Sequence, residues 1–170
     1  YQGITRCGGS VSCAIPDRMR DGYGINEHLI DAAYEEGMDT IITCDNGIAA
    51  INEIAHAKEL GMTVLVTDHH EIPYVEEQGV RRYLRSAADA IVNPANRNLL
   101  QGSGTSRAIY QAAGEQELTA SCEAIGHCDL GRAVCTPAFG LPAKYIFHAV
   151  CPAWHGGGFG EAEQLASAYH

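Results

Sequence analysis

The sequence predicts an α/β protein: a three-layer sandwich with a mainly parallel, mixed sheet built from βα units. Three observations predict it. Short apolar, β-branched runs alternate with longer stretches of helical spacing, the pattern of βαβ units. The runs at Thr40–Cys44 and Thr63–Thr67 lack polar alternation, as strands buried on both faces do. Of 170 residues, 46% are hydrophobic and 19% charged, enough apolar chain for one sizeable core.

The elements follow in order. SVSCAI (residues 10–15) reads as a short strand before Pro16, and PDRMRDGYG as a glycine-punctuated loop. Asn26 caps a helix that Gly37 stops. DTIITCDNG is a buried strand ending in a polar turn. IAAINEIAHAKELG is a helix, with Ile48, Ile51, Ile54, Ala55 and Lys58 near helical spacing and Gly61 as its stop. MTVLVTDHH is a second buried strand. Residues 71–88 read as a charged, irregular excursion, and DAIVNPAN returns as a third strand. LLQGSGTS is a glycine-rich loop that opens a helix through RAIYQAAG, and EQELTASCEAIG is another helix. GRAVCTPAF and AKYIFHAVCP are two strands around a GLP turn, and EAEQLASAYH is a last helix.

Charge is uneven. The formal net charge is -10; residues 1–89 contribute -8 (7 Lys/Arg, 15 Asp/Glu) and residues 90–170 contribute -2 (4 and 6). Such acidity excludes a chain that grips nucleic acid by bulk electrostatics, though bound divalent cations reverse the field locally. No stretch approaches the roughly 18 apolar residues of a membrane span, so no membrane partner is expected. The seven cysteines are odd in number and include no Cys-x-x-Cys, which reads as reduced thiols in a cytoplasmic protein. A zinc site on Cys122, His127 and Cys128 lacks a second ligand pair. The chain starts at Tyr1 with no signal-peptide pattern, and it reads as a fragment.

The chemistry of the first half lies at strand ends. Asp45 follows one apolar strand; Asp68, His69 and His70 follow the next. Parallel crossovers bring such ends to one sheet edge, where open α/β sheets bind ligands. Carboxylate and imidazole donors there suit Mn²⁺, Mg²⁺ or Fe²⁺. Either aspartate alone could simply end its strand and cap the next helix.

The strings IPDRMRDGYGIN (15–26), IITCDNGI (41–48), VLVTDHHEIP (64–73) and ADAIVNP (88–94) resemble the DHH phosphoesterases, and among them the RecJ-type single-strand-specific exonucleases. The resemblance covers residues 8–94. It implies Mn²⁺- or Mg²⁺-dependent phosphodiester hydrolysis on single-stranded DNA, a setting of DNA repair, with Asp45, Asp68, His69 and His70 catalytic. Asp45 becomes a bridging metal ligand and His69 a ligand. Asp68 becomes a ligand or the group that orients one, and His70 a phosphate or second-layer contact. Arg18 and the DGYG loop would face the nucleic acid, with Arg20 near the same edge, while Arg81, Arg82 and Arg85 read as a solvated face. The family's Asp-x-Asp strand has no counterpart in YQGITRCGG, and nothing after Pro94 continues its pattern, so about half the ligands remain and turnover is expected near background.

Residues 89–170 read differently. Asn93 and Asn96 close a strand with amides able to hold a ribose or fix a loop. Gly102, Ser103 and Gly104 precede a helix, whose first N–H groups can meet a diphosphate. With GRAVCTPAFGLPAKYIFHAV and GGGFGEAEQLASAY, these segments resemble a macro domain, which implies binding of ADP-ribose or a related nucleotide through Asn93, Asn96, Gly102, Ser103 and Gly104. Ser106 stands where the family often carries Asp, and a second phosphate loop is missing. Both patterns share ADAIVNP, as a crossover or chimera would. The expected organisation is a DHH-like fragment over 1–88 and a macro-like fragment over 89–170, joined in one sheet or loosely attached. The competing readings are an incomplete exonuclease, an ADP-ribose-binding module without catalysis, and an inactive chimera.

Overall fold

A computed structural model describes residues 4–5, 8–16, 24–68, 70, 72–84, 87–153 and 155–168. Helix α1 (Glu27–Glu35) starts where Asn26, in extended conformation, accepts the Leu29 N–H at 3.0 Å through Oδ1. It ends at Gly37, whose φ of +78° only glycine adopts freely. Ile30 seats it on the core. Then come β1 (Thr40–Ile42), α2 (Ile51–Glu59), β2 (Thr63–Val66), β3 (Tyr74–Glu77), β4 (Val80–Tyr83) and β5 (Ala88–Ala95). Helices α3 (Thr105–Ala113) and α4 (Glu115–Ile125), strands β6 (Ala133–Pro137) and β7 (Ala143–Val150), and α5 (Glu161–Ala168) complete the chain.

The main sheet has the order β1-β2-β5-β7-β6. Its first four strands run parallel, in registers such as Ile41↔Val64, Leu65↔Ala90 and Val92↔Phe147. Strand β6 returns antiparallel to β7, with Val134 opposite His148. This is the mixed, mainly parallel α/β sheet that the apolar runs predict. Strand β5 lies in the middle; consecutive residues Ala90 and Ile91 are both buried, so both its faces are covered. One core cluster runs from Ile30, Ile54 and Val64 to Ile109, Leu118 and Ile146.

Three expectations are corrected. Residues 10–15 form no strand: they lie mostly exposed, Ile15 at 86%, and pair with no ladder among the described residues. The helix expected from Ile48 begins at Ile51, because Gly47 to Ala50 form a turn first. The excursion at 71–88 contains an antiparallel hairpin, β3 with β4, with Glu77 opposite Val80. Gln78 (φ +54°) and Gly79 (φ +78°) make its two-residue turn. The described part of the Arg81–Arg85 group stands on β4; Arg85 lies outside the described residues.

Candidate functional site

The β1–β2 ladder continues past both strands. Thr43 N–H donates to Leu65 O (3.0 Å), and Asp45 N–H to Thr67 O (2.8 Å). Thr67 N–H donates to Thr43 Oγ1 at 3.2 Å, and Thr67 Oγ1 donates to the Thr43 carbonyl. These bonds hold Asp45 and Asp68 at the carboxyl ends of neighbouring strands. Asp45 has φ +61°, which Asp and Asn tolerate better than most residues. Gly47 has φ +104°, and a Cβ there would stand 2.9 Å from the Thr43 side chain. The DNG turn therefore needs its glycine to fold back beneath the site.

The Asp68 side chain is only 2% exposed. Its Oδ2 accepts the Ile48 N–H at 2.9 Å; its Oδ1 accepts the His70 N–H at 3.0 Å and meets His70 Nδ1 at 2.6 Å. Burial opposes its charge, but the two N–H groups and the ring outweigh that and hold the carboxyl below the usual range. The bond to Asp68 raises the His70 imidazole above its ordinary value, with Asp45 adding to the same field. Ligand atoms of Asp45, Asp68 and His70 all lie within 4.8 Å of one another. Atoms bound to one ion at about 2.0–2.6 Å stand at most about 5 Å apart, so the spacing fits a shared cation. Two carboxylates and an imidazole fit a hard or borderline divalent ion.

Asp45 and Asp68 also line a cleft of about 210 Å³. Thr67, Val92, Pro94, Ala149 and Cys151 line it from β2, β5 and β7, and Thr105 from the start of α3. Helix α3 begins at Gly104 with no side-chain cap. Its first-turn N–H groups, at Thr105, Ser106 and Arg107, have no acceptor among the described residues. Ser106, buried, holds the loop by accepting the Gly102 N–H at 3.2 Å; Ser103 and Gly104 are exposed.

The two asparagines are engaged internally. Asn96 Oδ1 accepts the N–H groups of Asn98 (3.1 Å) and Leu100 (3.2 Å), and its Nδ2 donates to Leu100 O at 2.6 Å. Asn93 is buried, with Nδ2 3.0 Å from His148 Nδ1; its Oδ1 has no partner among the described residues. His148 Nε2 meets Thr136 Oγ1 at 2.9 Å, and Cys122 Sγ lies 3.9 Å away. Burial drives this imidazole down to about 4, so it is neutral in the core.

Thus Asp45, Asp68 and His70 come together as their strand-end positions suggest, while His69, Arg18 and Arg20 lie outside the described residues. The third clustered donor is His70, to which the resemblance gave a phosphate or second-layer contact. Sequence reading missed Thr43 and Thr67, which clamp the rim; the signal was a threonine two residues before Asp45 and one immediately before Asp68. Thr105 and Cys151 were missed as cleft residues. The six described cysteines are all free, and Cys122, His127 and Cys128 form no metal cluster among the described residues.

Comparison with known proteins agrees with both motif sets. The model of the DHH family, N-terminal domain, matches residues 1–126, and the macro domain model matches residues 92–170. The DHH match reaches beyond Pro94, where the motifs alone showed no continuation, so the patterns overlap across β5, α3 and α4. A macro domain-containing protein of Chlorobaculum tepidum is 52% identical over 48% of this chain and 46% of its own length. The single-stranded-DNA-specific exonuclease RecJ of Bacillus subtilis is 47% identical over 68 residues, 40% of this chain and 9% of that protein. The Oceanobacillus iheyensis macrodomain with ADP shares 34% identity over 50% of this chain and 48% of that one, with a TM-score of 0.45. The chain spans about half the length of the macro-type curated relatives it matches and about a tenth of the exonuclease. No helix among the described residues is long and apolar enough to cross a membrane. With its motifs at the rim and the family pattern running over residues 1–126 of 170, the chain belongs to the DHH family.

Proposed function

We propose that the β1–β2 rim binds one divalent cation, Mn²⁺ or Mg²⁺, and through it a phosphate ester of single-stranded nucleic acid, with hydrolysis near background. The observation that carries this reading is the 4.8 Å cluster of Asp45, Asp68 and His70 donors. Asp45 is the exposed ligand. Asp68 is both ligand and anchor, since its bonds to Ile48 and His70 fix the carboxylate and the ring. A ring anchored at Nδ1 coordinates or donates through Nε2. His69 and Arg18 complete the set as ligand and phosphate contact. When bound, a divalent cation supplies positive charge against a phosphoryl oxygen. Phosphodiester cleavage by a metal pair needs more fixed carboxylates than these two strand ends offer.

A second reading has its own observation: a glycine loop feeding an uncapped helix α3. It supports binding of ADP-ribose or a related nucleotide by Gly102, Ser103 and Gly104, with Asn96 fixing the chain that leads into the loop and Asn93 held in the core by His148. The free cysteines suit a reducing compartment such as the cytoplasm. The test for the rim is to titrate Mn²⁺ into the purified chain, then add 5′-labelled single-stranded DNA, beside Asp45→Ala. Weak Mn²⁺ binding lost in the variant, with little nucleotide release, is the expected result. Robust release abolished by Asp45→Ala would overturn the ligand count.

A further inference from the structure

We propose that the cation and a nucleoside diphosphate occupy the same cleft, so that binding of the diphosphate requires the cation. The inference rests on the reading of the rim as a cation site. Its basis is the lining of one cavity of about 210 Å³, to which Asp45 and Asp68, Thr105 at the uncapped start of α3, and Val92, Pro94 and Ala149 all contribute. The DHH strand ends supply the carboxylates, and the segment that also matches the macro domain supplies the helix start. Each half of this arrangement treats an anion differently. The N–H groups of Thr105, Ser106 and Arg107 attract a phosphate. The carboxylates repel it, and Asp68 does so from a buried position where screening by salt is weak. A cation shared by Asp45, Asp68 and His70 reverses that sign.

The volume decides which ligand class gains. Whole small-molecule pockets run to about 300–1,000 Å³, so this cleft takes the phosphate-bearing middle of a ligand and leaves its ends outside. A diphosphate has two charged groups, one for the helix start and one for the cation. A monophosphate must choose between them. By linkage, a cation that strengthens diphosphate binding is itself held more tightly by the same factor.

The test is calorimetry on the full chain with ADP-ribose as probe, in EDTA and in saturating Mn²⁺, corrected for the Mn²⁺–ADP-ribose complex in buffer. ADP-ribose is expected to bind about 30-fold more tightly with Mn²⁺, AMP to gain about threefold or less, and adenosine nothing. Asp45→Asn is the informative variant, because asparagine tolerates the φ of +61° at this position. It should bind ADP-ribose more tightly than wild type in EDTA and lose most of the Mn²⁺ enhancement, with an unchanged circular dichroism spectrum. Loss of a merely structural carboxylate would weaken binding under both conditions. Equal ADP-ribose affinity with and without Mn²⁺, no ADP-ribose binding in either, or full enhancement retained in Asp45→Asn would each overturn the shared cleft. Absence of Mn²⁺ binding to the nucleotide-free chain would instead overturn the cation site itself.

Discussion

The Lys58 ammonium lies 2.5 Å from Asp89 Oδ2, tying α2 to the start of β5. The other oxygen of Asp89 meets Lys144 of β7 at 2.8 Å, and Oδ2 also accepts the Val64 N–H of β2 at 3.0 Å. One half-buried carboxylate thus joins four elements. Asp89→Ala should destabilise the fold by about 1–3 kcal/mol, because it leaves the Val64 N–H without its acceptor and takes the counter-charge from Lys58, which keeps only the Met62 carbonyl. Urea denaturation measures this; a change within about 0.3 kcal/mol would show the triad to be ornamental. Burial works against the charge, but Lys144, Lys58 and Val64 together hold the carboxyl at about 2. The stabilisation is therefore complete above the unfolded value of 3.8 and is lost as pH falls toward 2.

His148 gives a second pH window. The unfolded chain protonates it near 6.5, the folded chain only near 4, because burial disfavours the imidazolium. Between those values the unfolded state binds more protons, so stability present above 6.5 falls as the solution is acidified, by about 3 kcal/mol at the limit. His56 and His70 act oppositely, since Asp31 and Asp68 raise them: their stabilisation is full below 6.5 and is lost as pH rises. Comparison with His148→Gln isolates the buried ring. The variant should be less stable at pH 7, and its deficit should shrink by pH 4. A deficit constant across that range would contradict a neutral core histidine.

Asp68 and His70 make a spectroscopic prediction. In the metal-free chain Asp68→Asn should lower the His70 titration midpoint toward 6.5, read from imidazole proton shifts in NMR. The same change should cost about 1–3 kcal/mol, because an amide oxygen replaces only one of two accepting oxygens. An unmoved His70 midpoint would mean that the ring takes its charge from elsewhere.

The β3–β4 hairpin can be strengthened. Gln78 sits at φ +54° beside Gly79, a two-residue turn that prefers Asn-Gly. Gln78→Asn should stabilise the hairpin by about 0.5 kcal/mol and slow amide exchange at Glu77 and Val80, whereas Gly79→Val should accelerate it. Faster exchange in Gln78→Asn would argue against this turn.

The main sheet was legible because TVLVT and DAIVN are apolar on both faces, as strands inside a parallel sheet are; TIITC reads the same way and was expected to be buried, yet β1 is an edge strand with Ile42 47% exposed. The hairpin was not, since Tyr74–Tyr83 is rich in charge and its turn carries Gln where the familiar signal has Asn or Asp. SVSCAI misled because β propensity without a partner strand makes no ladder. At the site, Asp45 and Asp68 were readable from strand ends. His70 joins them through its bond to Asp68, a contact two residues apart that strand-end reading does not give; His69 lies outside the described residues. Asn96 read as an amide able to hold a ribose or fix a loop, and its bonds to Asn98 and Leu100 are of the second kind, a short-range turn.

The overlap of the two family patterns, residues 92–126, begins within β5, the middle strand of the sheet, flanked by β2 and β7. Chains assembled from two sources usually meet in a linker, where a protease can cut them apart. Here the overlap begins in a buried ladder with neighbours on either hand. A protease therefore finds no seam between residues 88 and 95, and the chain should melt in a single calorimetric transition.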